Sequence, residues 1–155
     1  MKRRTILFGA ASVSALALAG CAGQTPTQLQ SDVTAISQGL SGIVSALKAI
    51  PSVPANIVAE AQTAISAIQT NAATIAAALT PQASVVQQIA QAVTTLSTLL
   101  TPFFPLSAPV AGVVQAALAL VPVILAAVGV QSAGASLSTM TPEQARLVLR
   151  AAAAH

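Results

Sequence analysis

The sequence contains very little charge and very few aromatic residues. Only 6% of its 155 residues are Asp, Glu, Lys or Arg, and it has no Trp, no Tyr and three Phe. Charged residues normally make up about a quarter of a globular domain, so an ordinary soluble enzyme is not expected. Bases and sugars would find almost no aromatic ring on which to stack. Yet 55% of the residues are hydrophobic, which excludes a disordered chain.

The positive charge of the chain comes from its N-terminus. The formal net charge of +3 equals the contribution of residues 2–4, which are Lys-Arg-Arg. The rest of the chain carries equal numbers of bases and acids: Lys48, Arg146 and Arg150 against Asp32, Glu60 and Glu143. A neutral chain lacks the basic surface that binds phosphate backbones, and we therefore expect no nucleic-acid partner.

Residues that commonly carry out chemistry are equally scarce. The one histidine is His155 at the last position, the one cysteine is Cys21, and the acids fall in different predicted helices. The sequence has no HExxH motif, no cysteine pair at zinc spacing and no glycine-rich phosphate-binding loop. Serine or threonine nucleophiles would lack a neighbouring base. We therefore expect no enzymatic activity, no metal site and no dissociable cofactor.

The N-terminus has the organisation of a signal peptide, which we place at residues 1–20. The basic residues 2–4 precede an apolar stretch from Ile6 to Leu18. That stretch is too short to remain as a transmembrane helix, since spanning a bilayer takes about 20 apolar residues. The prediction is an exported protein from which this segment is removed.

The end of this segment, Leu18-Ala19-Gly20-Cys21, resembles the bacterial lipobox. The resemblance identifies the chain as a bacterial lipoprotein and implies that Cys21 is the lipid-attachment residue. It further implies a diacylglyceryl group on the thiol and an acyl chain, such as palmitate, on the amine that cleavage frees. Several acyl chains make attachment to a membrane stable. Residues 21–25 would then form a lipidated tether.

The residue after the cysteine bears on the destination. Enterobacterial lipoproteins that stay in the inner membrane carry Asp at this position, and here it is Ala22. By that resemblance the periplasmic face of the outer membrane is favoured, with the inner membrane and the cell surface as alternatives. Arg3-Arg4-Thr5-Ile6-Leu7 is also similar to a twin-arginine signal, so both general secretion and twin-arginine export stay open.

Prolines divide the rest of the chain into helical lengths. Thr25-Pro26-Thr27-Gln28 is typical of a helix start, with a capping Thr, a Pro at the first helical position and a Gln that reaches back. Thr80-Pro81 and Thr141-Pro142 repeat the arrangement. We predict one helical domain over 26–155, with a stiff, non-helical proline-rich connector and a Gly/Ser/Thr linker. The helices are placed at 26–50, 54–79, 81–101, 108–130 and 142–153, the connector at 102–109 and the linker at 131–141.

The apolar residues of the first three helices alternate steps of three and four. Such an alternation is a heptad seam that packs against other helices. Short links make neighbouring helices antiparallel. The fold class is therefore all-α: an antiparallel bundle of about four main helices plus a short C-terminal one. The seams are Leu29, Val33, Ile36, Leu40, Ile43, Leu47 and Ile50; Val58, Ala61, Ile65, Ile68, Ala72, Ile75 and Leu79; and Val86, Ile89, Val93, Leu96 and Leu100.

Three further features of the helices have two interpretations each. Gly39 and Gly42 allow either a close helix approach or a bend in the first helix. Val110–Val130 is apolar on every side, so it is either buried by neighbouring helices or crosses a membrane. Two arginines near the C-terminus, Arg146 and Arg150, either complement the helix dipole or contact a membrane surface.

The expected function is that of a membrane-anchored lipoprotein with a structural or protein-interaction role. Its partners would be the membrane through the lipid anchor, and a second copy of the chain or another envelope protein. One alternative is a membrane-active protein, such as a pore-forming, lysis or exclusion factor, that inserts helix 110–130. A second alternative is a carrier that holds an apolar ligand between its helices.

Overall fold

A computed structural model of the chain describes residues 25–78, 80–130 and 139–154. The predicted signal peptide, the lipid-attachment residue Cys21 and residues 131–138 of the predicted linker lie outside these ranges, as do Leu79 and His155.

Every regular element in the described residues is a helix, which confirms the all-α prediction. The helices are numbered in chain order, and a 3₁₀-helix connects α4 to α5. Their bounds are α1 (Pro26–Ser41), α2 (Ile43–Lys48), α3 (Ala55–Ala77), α4 (Ala83–Leu100), the 3₁₀-helix (Thr101–Leu106), α5 (Ala108–Ala127) and α6 (Pro142–Ala153).

Two of the three predicted helix starts are present as capping boxes. The Thr25 hydroxyl accepts from the backbone N–H of Gln28 at 3.3 Å, and the Gln28 side chain accepts from the N–H of Thr25 at 3.3 Å. Thr141 and Gln144 make the same reciprocal pair at 3.3 and 3.2 Å. Each box satisfies two backbone donors that a helix start otherwise leaves unpaired.

The third predicted start, Thr80-Pro81, is wrong. Helix α4 begins at Ala83, and its N-cap Gln82 makes no side-chain capping bond. Thr80 and Pro81 instead lie in the connection between α3 and α4. Two antiparallel helices lie about 8–10 Å apart, and the chain has to cross that distance between the end of one and the start of the next.

The predicted first helix, 26–50, is interrupted at Gly42 and ends at Lys48. The proline-rich connector was expected to be non-helical, but Thr101–Leu106 is a 3₁₀-helix. The φ angle that proline imposes, about −65°, also suits a 3₁₀-helix. The prolines therefore prevent a continuous α-helix in this connector but permit a 3₁₀-helix.

The fourth main helix ends at Ala127, three residues before the predicted boundary. Gly129 adopts a φ of +74°, which closes the helix. The N–H groups of Gly129 and Val130 then donate back to the carbonyls of Ala126 and Leu125 at 3.1 and 3.0 Å. This pair of bonds is the Schellman C-terminal motif, in which glycine supplies the left-handed residue.

Four helices, α1, α3, α4 and α5, form a ring in which each packs against the next. Within the described residues, the backbones of the diagonal pairs stay more than 8 Å apart. Neighbours are antiparallel: the Gln30 side chain near the start of α1 donates to the carbonyl of Ile75 near the end of α3 at 3.4 Å. Helix α6 lies against α1 and α5 and closes the groove between them. The predicted antiparallel bundle is confirmed.

The predicted seams form the core. Of the nineteen residues assigned to them, Ile50 and Val58 are half-buried and Leu79 is not described. The others are buried: Leu29, Val33, Ile36, Leu40, Ile43 and Leu47; Ala61, Ile65, Ile68, Ala72 and Ile75; and Val86, Ile89, Val93, Leu96 and Leu100. The alternation of three and four steps therefore identified the inward face of each helix.

Two stretches of the described chain are long and apolar enough to cross a membrane by length and composition alone. Ala83–Leu106 has a mean hydropathy of 1.3 and Ala108–Ala127 has one of 2.3. In the most apolar window of each, 28% and 56% of the residues are buried inside the bundle. The core helix of a soluble protein meets the same criterion, so these figures place neither stretch in a bilayer.

Replacing Ile65 or Ile89 by Ala should lower the free energy of unfolding by about 2–5 kcal/mol, because each leaves a cavity in the core. Their side chains are 3% and 0% exposed, whereas Gln62 and Gln91 on the same helices are exposed. Gln→Ala at the latter positions should cost less than about 0.5 kcal/mol. Urea denaturation followed by circular dichroism measures all four. Equal losses at the four positions would contradict the seam assignment.

Candidate functional site

Thr25, at the start of α1, marks the end of the bundle that lies next to the predicted anchor. Thr25 caps α1 and follows Cys21 by four residues. An extended chain of that length spans about 15 Å, so a group attached to Cys21 stays within that distance of Thr25. The opposite end carries the 3₁₀-helix, because the start of α5 at Val110 lies in one groove with Gly39, near the end of α1, and with Ile43 at the start of α2.

The most specific polar contact in the described residues joins α1 to α6. Asp32 lies between Leu29 and Ile36 on the inward side of α1 and is 3% exposed. The Nε and Nη2 groups of Arg146 donate to its two carboxylate oxygens, each at 2.7 Å. This is the two-pronged arrangement in which a guanidinium matches a carboxylate best.

The electrostatics of the pair favour the charged form of Arg146. The Arg146 side chain is 29% exposed and that of Asp32 is 5% exposed. The hydrogen bond to Asp32 raises the pKa of Arg146, burial opposes that rise, and the charges of Asp32 and Glu143 add to it. The guanidinium therefore stays protonated wherever the fold is stable. With both groups fully engaged, the arrangement is suited to fastening α6 onto the bundle rather than to proton transfer.

A second contact between the same helices depends on a glycine. A Cβ atom placed on Gly39 would lie 2.6 Å from the Cδ2 atom of Leu149, closer than real carbon contacts. Gly39 is thus the notch into which the fully buried Leu149 of α6 packs. Gly42 has open space around it and marks the break between α1 and α2. The close-approach interpretation therefore holds at Gly39, and the bend interpretation holds at Gly42.

The ion pair between Asp32 and Arg146 was not predicted from the sequence. A signal was present, because an acid three residues after Leu29 and four before Ile36 must fall on the apolar side of its helix. Nothing in the sequence indicated which base would reach it. Arg150 is exposed in the last turn of α6, where the dipole interpretation applies to it.

The remaining acids lie apart from this pair. Glu60 is exposed on α3, and Glu143 is exposed in the first turn of α6. Within the ranges that the structure describes, no three His, Cys, Asp or Glu residues come together in a way that could hold a metal ion. The expectation of no enzymatic activity and no cofactor stays a prediction.

Comparison of the chain with protein-family models, with curated proteins and with solved structures finds no match. The functional argument therefore rests on the residues and their geometry.

Arg146→Ala should lower the free energy of unfolding by about 2–4 kcal/mol, because the buried carboxylate of Asp32 loses the guanidinium that neutralises it. Arg150→Ala removes an exposed arginine from the same helix and should cost less than about 0.5 kcal/mol. The loss in free energy of unfolding for Arg146→Lys should fall between these two values, since an ammonium cannot bind both carboxylate oxygens of Asp32 in the same plane. Chemical denaturation of the three variants is the measurement. A loss for Arg150→Ala as large as that for Arg146→Ala would contradict the assigned role.

Proposed function

We propose that this protein is a lipid-anchored envelope lipoprotein with a structural or protein-interaction role at the periplasmic face of the outer membrane. The anchor is the acylated Cys21, and the helical bundle is the part that contacts other macromolecules. The complete lipobox before Cys21 supports the anchor. The capped start of α1 so soon after it supports a bundle held close to the bilayer surface.

The observation that favours a structural over a membrane-inserted role is the packing of α5. This helix is the most apolar in the described chain, and its neighbours α1, α4 and α6 bury 11 of its 20 residues. A helix that is apolar on all sides needs an apolar environment. The bundle supplies one without a bilayer.

The interior of α5 also fits protein better than lipid. Gln115 and Pro122 lie within it, and Pro122 removes one backbone donor from the helix. Hydrocarbon tolerates a polar side chain and an interrupted hydrogen-bond ladder only where neighbouring helices satisfy the freed groups. Both residues are half-buried inside the bundle.

The anchor is tested at Cys21. Cys21→Ser should abolish acylation and prevent cleavage by the lipoprotein-specific peptidase, because serine lacks the thiol that receives the diacylglyceryl group. Intact-mass spectrometry of the chain purified from membranes, with the unaltered chain as control, measures both effects. An unacylated Cys21 in the unaltered chain, or a mature N-terminus at another residue, would contradict the lipoprotein proposal.

A membrane-active role is the second candidate, and the mean hydropathy of 2.3 in the most apolar window of α5 favours it. The two candidates differ in what residues 24–155 do without signal peptide or lipid. The structural role predicts a helical species that stays soluble without detergent and melts cooperatively, since the seams and α5 cover one another.

Vesicle leakage separates the candidates directly. Residues 24–155 are added to liposomes loaded with a self-quenched dye, and detergent lysis defines complete release. The structural role predicts release no greater than from vesicles alone. Partition into the vesicles with dye release would contradict it and support insertion of α5.

A further inference from the structure

The exposed side of α3 carries a single charge. Glu60 is its one charged residue over Ala55–Ala77. The hydroxyls of Thr63, Thr70 and Thr74 donate to carbonyls four residues earlier on the helix, at 3.0, 2.9 and 3.0 Å. Covering this surface would therefore bury no second charge of α3, and these three hydroxyls would keep their partners.

Two open apolar grooves flank the α3 surface near the end of the bundle opposite Thr25. One lies against the α2–α3 turn and is lined by Lys48, Ile50, Pro51 and Val58 among others. The other lies between α3 and α4 and is lined by Glu60, Ala64, Ala92 and Leu99 among others. Ala59 lines both grooves and forms the ridge between them. We call this ridge and its two grooves the α3 face.

The neighbouring helix α4 contributes Ala92, Thr95 and Leu99 to the second groove. Ala92 and Leu99 are half-buried there and form the apolar part of this wall.

The two charges of the α3 face have opposite signs, and each lines a groove that Ala59 also lines. Lys48 shares one groove with Ala59, and Glu60 shares the other. They lie on opposite sides of the Ala59 ridge. Within the described residues, the one ion pair joins Arg146 to Asp32, so neither Lys48 nor Glu60 is neutralised by a salt bridge there.

This placement of charges is complementary to itself under one kind of symmetry. When two identical surfaces face each other about a two-fold axis parallel to the bundle, the left side of one meets the right side of the other at the same level. Lys48 then faces Glu60 of the partner subunit, and the contact occurs twice. An axis perpendicular to the bundle would instead bring like charges toward each other, which is repulsive.

We propose that the α3 face binds a second copy of this chain in parallel orientation, with Ala59 near the two-fold axis. Apart from Glu60, α3 carries no charge, which suits this arrangement, because residues near a two-fold axis meet their own equivalents and like charges there would repel. Parallel pairing also brings both Thr25 ends to the same side. If the proposed lipid anchor at Cys21 is correct, both chains can be held in one bilayer.

Carbodiimide cross-linking tests the orientation. This reagent joins an amine to a carboxylate with loss of water, and Lys48 is the one lysine outside the N-terminal segment. Unlabelled and ¹⁵N-labelled full-length chains are purified in mild detergent, mixed and cross-linked, and the peptides are analysed by mass spectrometry. A hybrid peptide that joins labelled Lys48 to unlabelled Glu60 is expected.

The hybrid isotope pattern separates links between chains from links within one chain. No hybrid peptide, or hybrid peptides that join Lys48 only to Glu143 at the Thr25 end, would overturn the proposal, since the latter requires antiparallel chains.

Charge exchange tests the contact itself. Lys48→Glu and Glu60→Lys each place like charges opposite one another at two positions of the dimer and should lower its association constant about tenfold. The double variant Lys48→Glu/Glu60→Lys restores both opposite pairs and should return to within about threefold of the unaltered chain. Arg150→Glu, an exposed change on α6, is the matched control and should leave association unchanged.

Light scattering of the full-length variants in detergent measures association, and circular dichroism checks that all are folded. A double variant no better than the single ones, or an equal loss in Arg150→Glu, would overturn the proposal. The intact mass of the same samples reports acylation of Cys21. Monomers with an acylated Cys21 count against the dimer alone, and dimers with a free Cys21 count against the anchor alone.

Discussion

Helix α5 needs an apolar environment on every side, and the rest of the bundle is arranged to provide it. The helices α1 and α4 flank it in the ring, and α6 covers the groove that would otherwise leave it open. Buried positions therefore run around α5 rather than along one stripe, in contrast to the single seams of α1, α3 and α4. The amphipathic helices have core faces to bury, and α5 is the element that completes the core they share.

The C-terminal helix is fastened by contacts of two different kinds. Leu149 packs into the space that Gly39 leaves, which contributes apolar burial. The Arg146–Asp32 pair adds little net stability, because desolvation offsets much of the attraction, but it disfavours positions of α6 that would leave the buried carboxylate without its base. The first contact holds α6 against the bundle, and the second selects its register.

The surface of the bundle carries unusually few charged residues. With so few charges, association cannot depend on broad electrostatic attraction, and a single opposite pair acquires unusual weight in orienting a partner. On the α3 face that pair is Lys48 and Glu60, which line the two grooves on either side of Ala59. A tether would raise the local concentration of chains, so that even a small contact area could sustain pairing.

Local patterns in the sequence determined the all-helical class, the inward face of the three seam helices and the capped starts at Thr25 and Thr141, since these depend on residues within a few positions of one another. Helix ends were less predictable, as at Thr80-Pro81, which precede α4 without capping it, and at Gly129, which closes α5, because a helix end depends on how the chain connects to its neighbouring elements. Only the tertiary structure decided that Arg146 reaches Asp32, that Gly39 receives Leu149, and that Lys48 and Glu60 line grooves on either side of Ala59. Each of these arrangements involves residues from different helices. It depends on how whole helices pack together, which the spacing of residues within one helix does not determine.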